Sequence, residues 1–439
     1  MTTEVAIMNR QAVALAADSA ATAYSGGRPI YTHANKILSL GAKHAVGVMI
    51  YSSATFMGIP WETLIKMFRE TLGNQQQKQL EDYGKLLVEF LENNQELFPE
   101  ELQVKYALSR VDDYFESLII ETLSHRLDFS FFENQSEINE EDIKKLFADI
   151  VEEELEKYVN GETYVNKPDK YGELINQKLG GHIDQIIAEL FEIFPLDDKT
   201  KESLKQLATY LFIYHPENSQ EYDYTGVVMS GFGDKDIFPR VQPLKIFGLL
   251  FGVLKFKKEE YKKVTHQNTA LIMPFAQDEV MRTFIDGISP YLMSYNDFFF
   301  KYFVSELPQL ILDEVEDLID DEQENQIHKA IKAKSLKAYK KYKSNINRFM
   351  KEYNINPVLT VTSVMAKDEL AELAESLVHL TCIKKKYSTE DETVGGPVDV
   401  AVISKGDGFV WIRRKNYFDS QDNYKFFNKY KRHGEQEII

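Results

Sequence analysis

The sequence predicts an α+β protein in which one core built on β-sheets carries two helical insertions. Short apolar runs bounded by turn residues, which are typical of strands, occur near the start, the middle and the end of the 439-residue chain. Two long segments between them are rich in charge and carry apolar residues at helical spacing. Strands and helices therefore occupy separate stretches, which disfavours a regular alternation of strand, helix and strand.

The same changes along the chain set the expected domain boundaries. The predicted core is discontinuous and consists of residues 1–70, 225–290 and 357–413. The two helical insertions are residues 71–224 and 291–356, and residues 414–439 are a C-terminal tail. In the first of these insertions the charged residues fall between the apolar ones, which is typical of a helical subdomain with a solvated outer face.

Four strands are predicted in the first 50 residues. In chain order they are residues 5–8, 12–17, 36–40 and 44–50. The polar pair Asn9-Arg10 separates the first two runs, and a tight polar break between apolar runs favours a hairpin.

Further elements follow in the middle and at the end of the chain. Strands are predicted at residues 226–233, 237–241, 244–254, 398–404 and 409–412. Helices are predicted over most of 61–214, at 274–288, over most of 295–354 and at 367–386.

Composition disfavours several classes of protein. The formal net charge of −18 is the opposite of what a nucleic-acid binder needs. The single cysteine, Cys382, excludes an internal disulfide and is expected to be a plain buried thiol. The nine histidines are scattered without zinc-ligand spacing, so neither a metal nor another cofactor is expected. A secretory signal and any apolar run long enough to span a bilayer are missing, which predicts a cytoplasmic protein without a membrane partner.

Thr2 is the first candidate for chemistry. Methionine is normally trimmed before a residue as small as threonine, and its removal would leave Thr2 with a free α-amine. That amine titrates near pH 7.7–8.0, so part of it is neutral and able to accept the hydroxyl proton. One residue would then supply both the nucleophile and its base. Many proteins carry a threonine after the initiator without any such role, so this interpretation depends on its context.

Two charged residues supply that context. Asp18 ends the second predicted strand, which returns towards the N-terminus, and Lys36 opens the third. A buried ammonium near Thr2 would favour a neutral amine and stabilise an alkoxide, and Asp18 would hold Lys36 as an ion pair. Taken singly, each residue is also consistent with a strand-end charge that faces solvent.

Three segments together resemble the opening of proteasome β subunits and of the related bacterial peptidase that works with a hexameric ATPase. They are residues 2–7 (TTEVAI), 14–22 (ALAADSAAT) and 35–37 (NKI). In that family the threonine is the N-terminal nucleophile, which the aspartate and lysine support. The resemblance implies these roles for Thr2, Asp18 and Lys36, with Ser19 as a weaker supporting residue.

The C-terminal part of the chain is similar to the same family. Residues 391–396 (DETVGG) resemble its Asp-x-x-Ser-Gly-Gly motif, which implies a supporting role for Asp391. Val394 stands in place of the serine, and Thr393 is a neighbouring hydroxyl that would substitute for it. Residues 270–274 (ALIMP) resemble the family's Gly-Ser-Gly before a helix, again without the serine. The oxyanion-hole region corresponds to residues 51–53, with Ser52 in the middle.

The resemblance implies a four-layer αββα N-terminal nucleophile (Ntn) hydrolase sandwich. It implies a threonine peptidase or amidohydrolase that cleaves peptide or amide bonds after removal of Met1. A catalytically inactive proteasome-like scaffold or interaction subunit is the alternative, because two serines are missing. The family stacks in rings, so a homo-oligomer is expected, although the insertions leave a monomer or dimer open. An ATPase partner is not identified.

Overall fold

The computed structural model describes residues 2–25, 28–94, 96–133, 140–163, 168–192, 196–216, 224–313, 321–388 and 394–415. The strands are β1 (Thr3–Asn9), β2 (Ala12–Ala17), β3 (Ala20–Ser25), β4 (Arg28–His33), β5 (Ile37–Ser39), β6 (Val46–Tyr51), β7 (Thr55–Phe56), β8 (Ile59–Pro60), β9 (Glu162–Thr163), β10 (Tyr214–His215), β11 (Thr225–Gly231), β12 (Arg240–Leu250), β13 (Val253–Lys258), β14 (Lys262–Lys263), β15 (Ala270–Ala276), β16 (Asp399–Ser404) and β17 (Gly408–Arg413). The helices are α1 (Trp61–Leu72), α2 (Leu80–Asn93), α3 (Glu100–Glu133), α4 (Glu140–Val159), α5 (Tyr171–Leu190), α6 (Asp198–Tyr210), α7 (Glu279–Asp286), α8 (Pro290–Asp313), α9 (Asp321–Met350), α10 (Asn356–Thr362) and α11 (Lys367–Lys386). Strands and helices are segregated along the chain as predicted, and the strands pair in antiparallel sheets.

One sheet has five strands in the order β15-β1-β2-β16-β17. The predicted N-terminal hairpin is confirmed, because β1 pairs with β2 from Glu4 opposite Ala17 to Met8 opposite Val13. The C-terminal hairpin β16–β17 joins the same sheet through β2. The hairpins β1–β2 and β16–β17, which are distant in sequence, therefore lie side by side in this sheet.

The second sheet has the order β13-β12-β11-β6-β5, and β14 also pairs with β12. Apolar side chains of both sheets, among them Met8 and Leu15 from the first and Met49 and Val228 from the second, form a common buried cluster. Each such side chain contributes about 1.5–3 kcal/mol when it is fully buried. The two sheets are thus held face to face by one apolar core.

Helices cover the outer face of each sheet. Helices α1 and α2 pack on the six-stranded sheet through a second apolar cluster that includes Trp61 and Leu87. Helices α7 and α11 pack on the five-stranded sheet through Met281 and Leu377, together with strand residues such as Ile7. The outward side of β1 and β2 is therefore as apolar as the inward side, which explains their unbroken apolar runs.

The helical insertions have interiors of their own. Helices α3 to α6 share a buried cluster in which Phe115, Phe147, Ile175 and Leu207 meet, and it touches the sheet at Leu250. Helices α8 and α9 pack along each other as a hairpin. A π-helical turn, Lys351–Ile355, then leads from α9 into α10.

Two element predictions are wrong in detail. The helix expected at 274–288 begins only at Glu279, because residues up to Ala276 form β15 and pair with β1. Pro274 is tolerated there since β15 is an edge strand, where a missing N–H faces no neighbour. The strands expected at 237–241 and 244–254 are instead β12 and β13. Pro243 lies within β12, between the parts that pair with β14 and β13.

Across the described parts of the chain, no helix has both the length and the apolarity that crossing a bilayer requires.

Candidate active site

The site predicted from sequence lies where β1 begins. Side chains alternate along a strand, so Glu4 is on the same face of β1 as Ala6 and Met8, whose side chains lie in the core between the two sheets. Thr2 immediately precedes β1 and is 6% exposed. Its carbonyl oxygen accepts a hydrogen bond from the Gln277 N–H at 3.0 Å. The start of the chain is therefore fixed on the edge strand β15.

Asp18 is the centre of the hydrogen bonding at this point. Its Oδ1 accepts the Thr3 N–H at 3.0 Å and Lys36 Nζ at 2.7 Å. Its Oδ2 accepts the N–H groups of Ala20 at 3.2 Å and Gly395 at 3.1 Å. Four donors therefore converge on this one buried carboxyl group. The structure thus brings Asp18 and Lys36 together beside the residue that follows Thr2.

Lys36 is held at this place by its backbone as well as by its ammonium. Its carbonyl oxygen accepts the Ile50 N–H at 2.9 Å, which continues the pairing of β5 with β6. The Lys36 side chain is 6% exposed and that of Asp18 is fully buried. Removing two such charges from water costs several kcal/mol each, which their contact and additional hydrogen bonds must offset.

The C-terminal motif meets the N-terminal one at Asp18. The carbonyl of Gly395 accepts the N–H groups of Ser19 and Ala20 at 3.2 and 3.0 Å. The hydroxyl of Ser19 donates to the carbonyl of Pro397. Gly396 has a φ of +77°, in the left-handed region that favours glycine. The two segments that were singled out in sequence are therefore joined by four hydrogen bonds.

The other predicted residues of this motif have different outcomes. Val394, which stands where the family has serine, is buried. Asp391 and Thr393 lie outside the described residues, so their supporting roles stay predictions.

The turn before α7 is displaced from the position expected from sequence. Residues 270–274, compared above with a Gly-Ser-Gly segment, belong to the strand β15. The turn is formed by residues 276–278, where Ala276 has a φ of +61°. The Gln277 carbonyl accepts the Thr3 hydroxyl at 3.4 Å. The sequence resemblance predicted that Ala270–Pro274 would form the turn before the helix. In the structure Gln277 lies in that turn, next to Thr2 and Thr3.

Ser52 directly follows β6, at the strand end that carries Tyr51. Its φ is +74°, a left-handed conformation that is uncommon for a residue other than glycine. The residue is exposed, and the neighbouring Ser53 hydroxyl donates to the Thr55 carbonyl at 2.7 Å. The backbone at 51–53 thus makes a sharp turn at the surface, in which the Ser53 N–H donates to the Tyr51 carbonyl at 3.1 Å.

Glu4 is a buried acid that the sequence analysis did not single out. It is 0% exposed, and none of the described residues hydrogen-bonds to either of its carboxylate oxygens. Burial raises the pKa of the Glu4 carboxyl well above its usual value; the nearby Lys36 lowers it and Asp18 raises it. Burial likewise raises the pKa of the Tyr51 phenol, and the nearby Glu4 adds to this rise. Burial therefore favours the neutral form of the Glu4 carboxyl, close to the Asp18–Lys36 pair.

A second ion pair lies beside the first. Lys415 Nζ is 3.4 Å from Asp399 Oδ2, and the Lys415 N–H donates to Asp399 Oδ1 at 2.7 Å. Lys415 also donates to the carbonyl of Ala34, two residues before Lys36. Burial lowers the pKa of the Lys415 ammonium, Asp399 opposes that effect, and Lys36 contributes as a like charge. This pair ties the C-terminal end of β17 to the segment that carries Lys36.

Of the residues that sequence reasoning missed, Glu4 had a visible signal. It is a charge directly before the apolar run 5–8, at a position with the parity of the core residues Ala6 and Met8. Asp399 carried the same kind of signal within the predicted strand 398–404, on the face of Ala401 and Ile403. Gln277 and Lys415 carried none, because their roles depend on which strands become neighbours.

Cys382 was expected to be buried and is only partly so. It is half-buried against the cluster under α11, and burial raises the pKa of its thiol to about 12. Within the parts of the chain that the structure describes, His, Cys, Asp and Glu side chains nowhere form a group of three that could hold a metal ion.

Two cavities adjoin the helical insertion. One of about 410 Å³ extends from Ser53 and Tyr224, beside Tyr51, to Arg110 and Asp113 of α3. Another of about 440 Å³ shares Arg110, Asp113 and Phe247 with it and continues between α3, α4 and β12. Neither is lined by Thr2, but the first begins one residue from Ser52.

Comparisons with known proteins are sparse. No protein-family model matches this chain, and no curated protein matches it. Among solved structures it is similar to the Anbu (Gly-1) mutant from Hyphomicrobium sp. strain MC1, with 11% identity over 100% of this chain and 98% of that chain and a TM-score of 0.27.

Proposed function

We propose that this chain is a threonine-type N-terminal nucleophile hydrolase that cleaves peptide or amide bonds after removal of Met1. The observation that carries the proposal is the sharing of one Asp18 oxygen by the Thr3 N–H and Lys36 Nζ. That oxygen fixes a buried ammonium next to the backbone of the candidate nucleophile. Such an arrangement is what activation of a terminal threonine needs.

In the proposed reaction, the neutral α-amine of Thr2 takes the proton from the Thr2 hydroxyl as its oxygen attacks the substrate carbonyl. Lys36 stabilises the developing alkoxide, and backbone N–H groups at 51–53 stabilise the oxyanion. The protonated α-amine then gives its proton to the leaving amine, which departs and leaves an ester on Thr2. Water, deprotonated by the same amine, hydrolyses the ester and restores the hydroxyl.

The packing of the core fits this proposal. The two sheets pack on each other, and helices pack on the outer face of each sheet. An apolar cluster lies between each pair of adjacent layers. We interpret this succession as the αββα sandwich of Ntn hydrolases. Residues 1–70, 225–290 and 357–413 would form it, with α2 of the first insertion added because it packs on β11 and β12.

The substrate would approach along the cavity that begins at Ser53 and Tyr224. Its far wall, Arg110 and Asp113, belongs to the first helical insertion. The insertion 71–224 would then form part of the substrate-binding surface as well as a cap.

One observation favours the alternative of an inactive scaffold or interaction subunit. Val394 is 1% exposed and has no hydroxyl to offer where the resembled family has serine. An inactive subunit would keep Asp18 and Lys36 as a structural ion pair, since that pair also joins three segments of the fold.

The decisive experiment has two readouts. Intact mass first shows whether Met1 is removed, and its retention would refute the catalytic proposal. A β-lactone probe, which acylates activated hydroxyls, is then expected to add its mass to the peptide that begins at Thr2. Thr2→Ser should still be labelled, because it keeps a hydroxyl beside the amine, whereas Thr2→Ala should not.

Variants at Asp18 connect this labelling to the site. Asp18→Asn keeps the shape but removes the charge that fixes Lys36, so labelling of Thr2 should slow by at least about tenfold if the side chain stays in place. Circular dichroism on each variant separates loss of chemistry from loss of fold. If the mature wild type, with Met1 removed, is never labelled, the scaffold function is the one to retain.

A further inference from the structure

Helix α8 exposes an aromatic surface that the site does not use. Six rings on it are between 44% and 73% exposed, and we call them the α8 aromatic stripe: Tyr291, Tyr295, Phe298, Phe299, Tyr302 and Phe303. Their spacing of three or four residues, with two adjacent pairs, places them on one face of the helix. Large contiguous apolar patches are rare on monomers and usually mark an interaction surface.

The opposite face of α8 is the one that packs on α9. Phe300 lies 4.7 Å from the ring of Tyr342, and Asp297 accepts hydrogen bonds from Tyr339 and Lys343 at 2.6 and 2.9 Å. Val304 on the same side is buried. The hairpin is thus anchored through one face of α8, and the stripe points away from α9.

The rings of the stripe are already ordered relative to one another. Tyr295 stacks on Phe299 with centroids 6.4 Å apart, and Phe299 stacks on Phe303 at 6.5 Å. Rigid aromatic side chains lose little entropy on binding, which is why they dominate the energetic centre of interfaces.

We propose that the α8 aromatic stripe is the contact between two copies of this chain, related by a two-fold axis. Full burial of one aromatic side chain covers about 150–250 Å². At their present exposure the six rings would therefore remove roughly 530–890 Å² from water, a range that includes the about 800 Å² per partner of a stable interface. A two-fold axis places the same stripe on both sides, so a single apolar surface suffices.

Charge favours a second copy over an anionic lipid surface. The stripe carries no basic side chain, and the next ionisable residue on that face is Glu306, whose charge anionic headgroups would repel. This inference does not depend on the chemistry of Thr2, so its failure would leave the proposed function untouched.

The test compares two variants of the full chain by analytical ultracentrifugation between about 1 and 100 µM, a range that spans typical dissociation constants of dimers. Phe298→Glu/Tyr302→Glu puts two charges into the stripe and keeps good helix formers on α8. Ile237→Glu is the matched control, because Ile237 is 79% exposed and lies outside the stripe. Circular dichroism confirms that both variants remain folded.

Wild type and Ile237→Glu are expected to sediment with twice the chain mass of 50.8 kDa. The stripe variant should sediment as a monomer, with a dissociation constant raised at least about 100-fold by the buried like charges. A monomeric wild type, or a stripe variant that remains dimeric, would overturn the proposal. So would a wild-type monomer that floats with vesicles of phosphatidylserine and phosphatidylcholine, which would identify a lipid surface.

A second measurement does not depend on dissociation. In a two-fold contact, a residue near the centre of the stripe lies close to its own copy. Phe298→Cys should therefore be joined into a covalent dimer by a short bismaleimide, whereas Ile237→Cys should not. Equal cross-linking of both variants would contradict a specific contact.

Discussion

Lys36 Nζ lies 2.7 Å from Asp18 Oδ1, with both side chains almost completely shielded from water. The same carboxylate binds the N–H of Thr3 at the start of β1 and the N–H of Gly395 before β16. Three segments that are distant in sequence therefore depend on one ionised group. The geometry of the candidate site and the closure of the five-stranded sheet are coupled through it.

Replacing Lys36 with methionine should destabilise the fold strongly. The substitution leaves the Asp18 charge buried without its cation, and breaking one half of a buried ion pair typically costs about 3–5 kcal/mol. Because three N–H groups also bind Asp18, the decrease in the free energy of unfolding should lie near the lower end of this range. Urea denaturation measures the free energy of unfolding.

Lys85→Met is the matched control, because it breaks the exposed pair between Lys85 and Asp82. Water screens that pair, so little change is expected. Equal effects of the two substitutions would show that burial of the Lys36 pair has no energetic consequence.

Glu4 should make stability fall as the pH rises. Its pKa in the folded chain is raised above the usual 4.5, mainly by burial. At pH values between 4.5 and this raised pKa, the folded state binds more protons than the unfolded state. The free energy of unfolding must then decrease with pH over that window, by about 1.4 kcal/mol per pH unit for this group.

Glu4→Gln removes the titrating proton and keeps the shape of the side chain. Its stability relative to wild type should therefore increase steadily as the pH is raised from about 4.5. Urea midpoints at several pH values give this difference. A difference that stays constant between pH 5 and 7 would contradict the assignment of a protonated Glu4.

Much of the site was predictable because its residues carry signals in short stretches of sequence. Asp18 and Lys36 interrupt or flank apolar runs, and Gly395-Gly396 marks a turn. Glu4 carried the same kind of signal, a charge at a core position of a strand, and a stricter use of strand parity would have found it.

The remaining features depend on tertiary neighbours. Residues 270–276 contain a proline that disfavours a strand, yet β15 forms because an edge strand beside β1 tolerates it. Lys415 lies in the predicted tail, and only the pairing of β16 with β17 brings it to Asp399. Spacing along the chain contains no information about either contact.

Gly226 should be intolerant of a side chain. It lies directly opposite Tyr51 in the pairing of β11 with β6, and a Cβ there would be 2.0 Å from the Tyr51 ring. Gly226→Ala must therefore displace that ring, at a cost of about 1–3 kcal/mol for overpacking. β-Lactone labelling of Thr2 should slow as well, since Tyr51 precedes the turn at Ser52.

The control for this substitution is Gly180→Ala within α5. A Cβ on Gly180 would meet open space, and alanine in a helix is favoured over glycine by about 0.5–1 kcal/mol. The melting temperature should therefore fall for Gly226→Ala and rise slightly for Gly180→Ala, relative to wild type. A Gly226→Ala chain as stable as wild type would show that the Tyr51 ring moves without cost.

Cys382 should react slowly in the folded chain. Burial raises the pKa of its thiol to about 12, whereas an unfolded cysteine titrates near 8.5, and the thiolate is the form that attacks iodoacetamide. At pH 8 the native chain should be alkylated at least about 100-fold more slowly than the chain in urea.

Between pH 7 and 9 the alkylation rate of the native chain should rise about tenfold per pH unit, while that of the unfolded chain begins to level off. Because the chain has no other cysteine, mass spectrometry reads this rate directly, and a native rate within tenfold of the unfolded one would contradict a buried thiol.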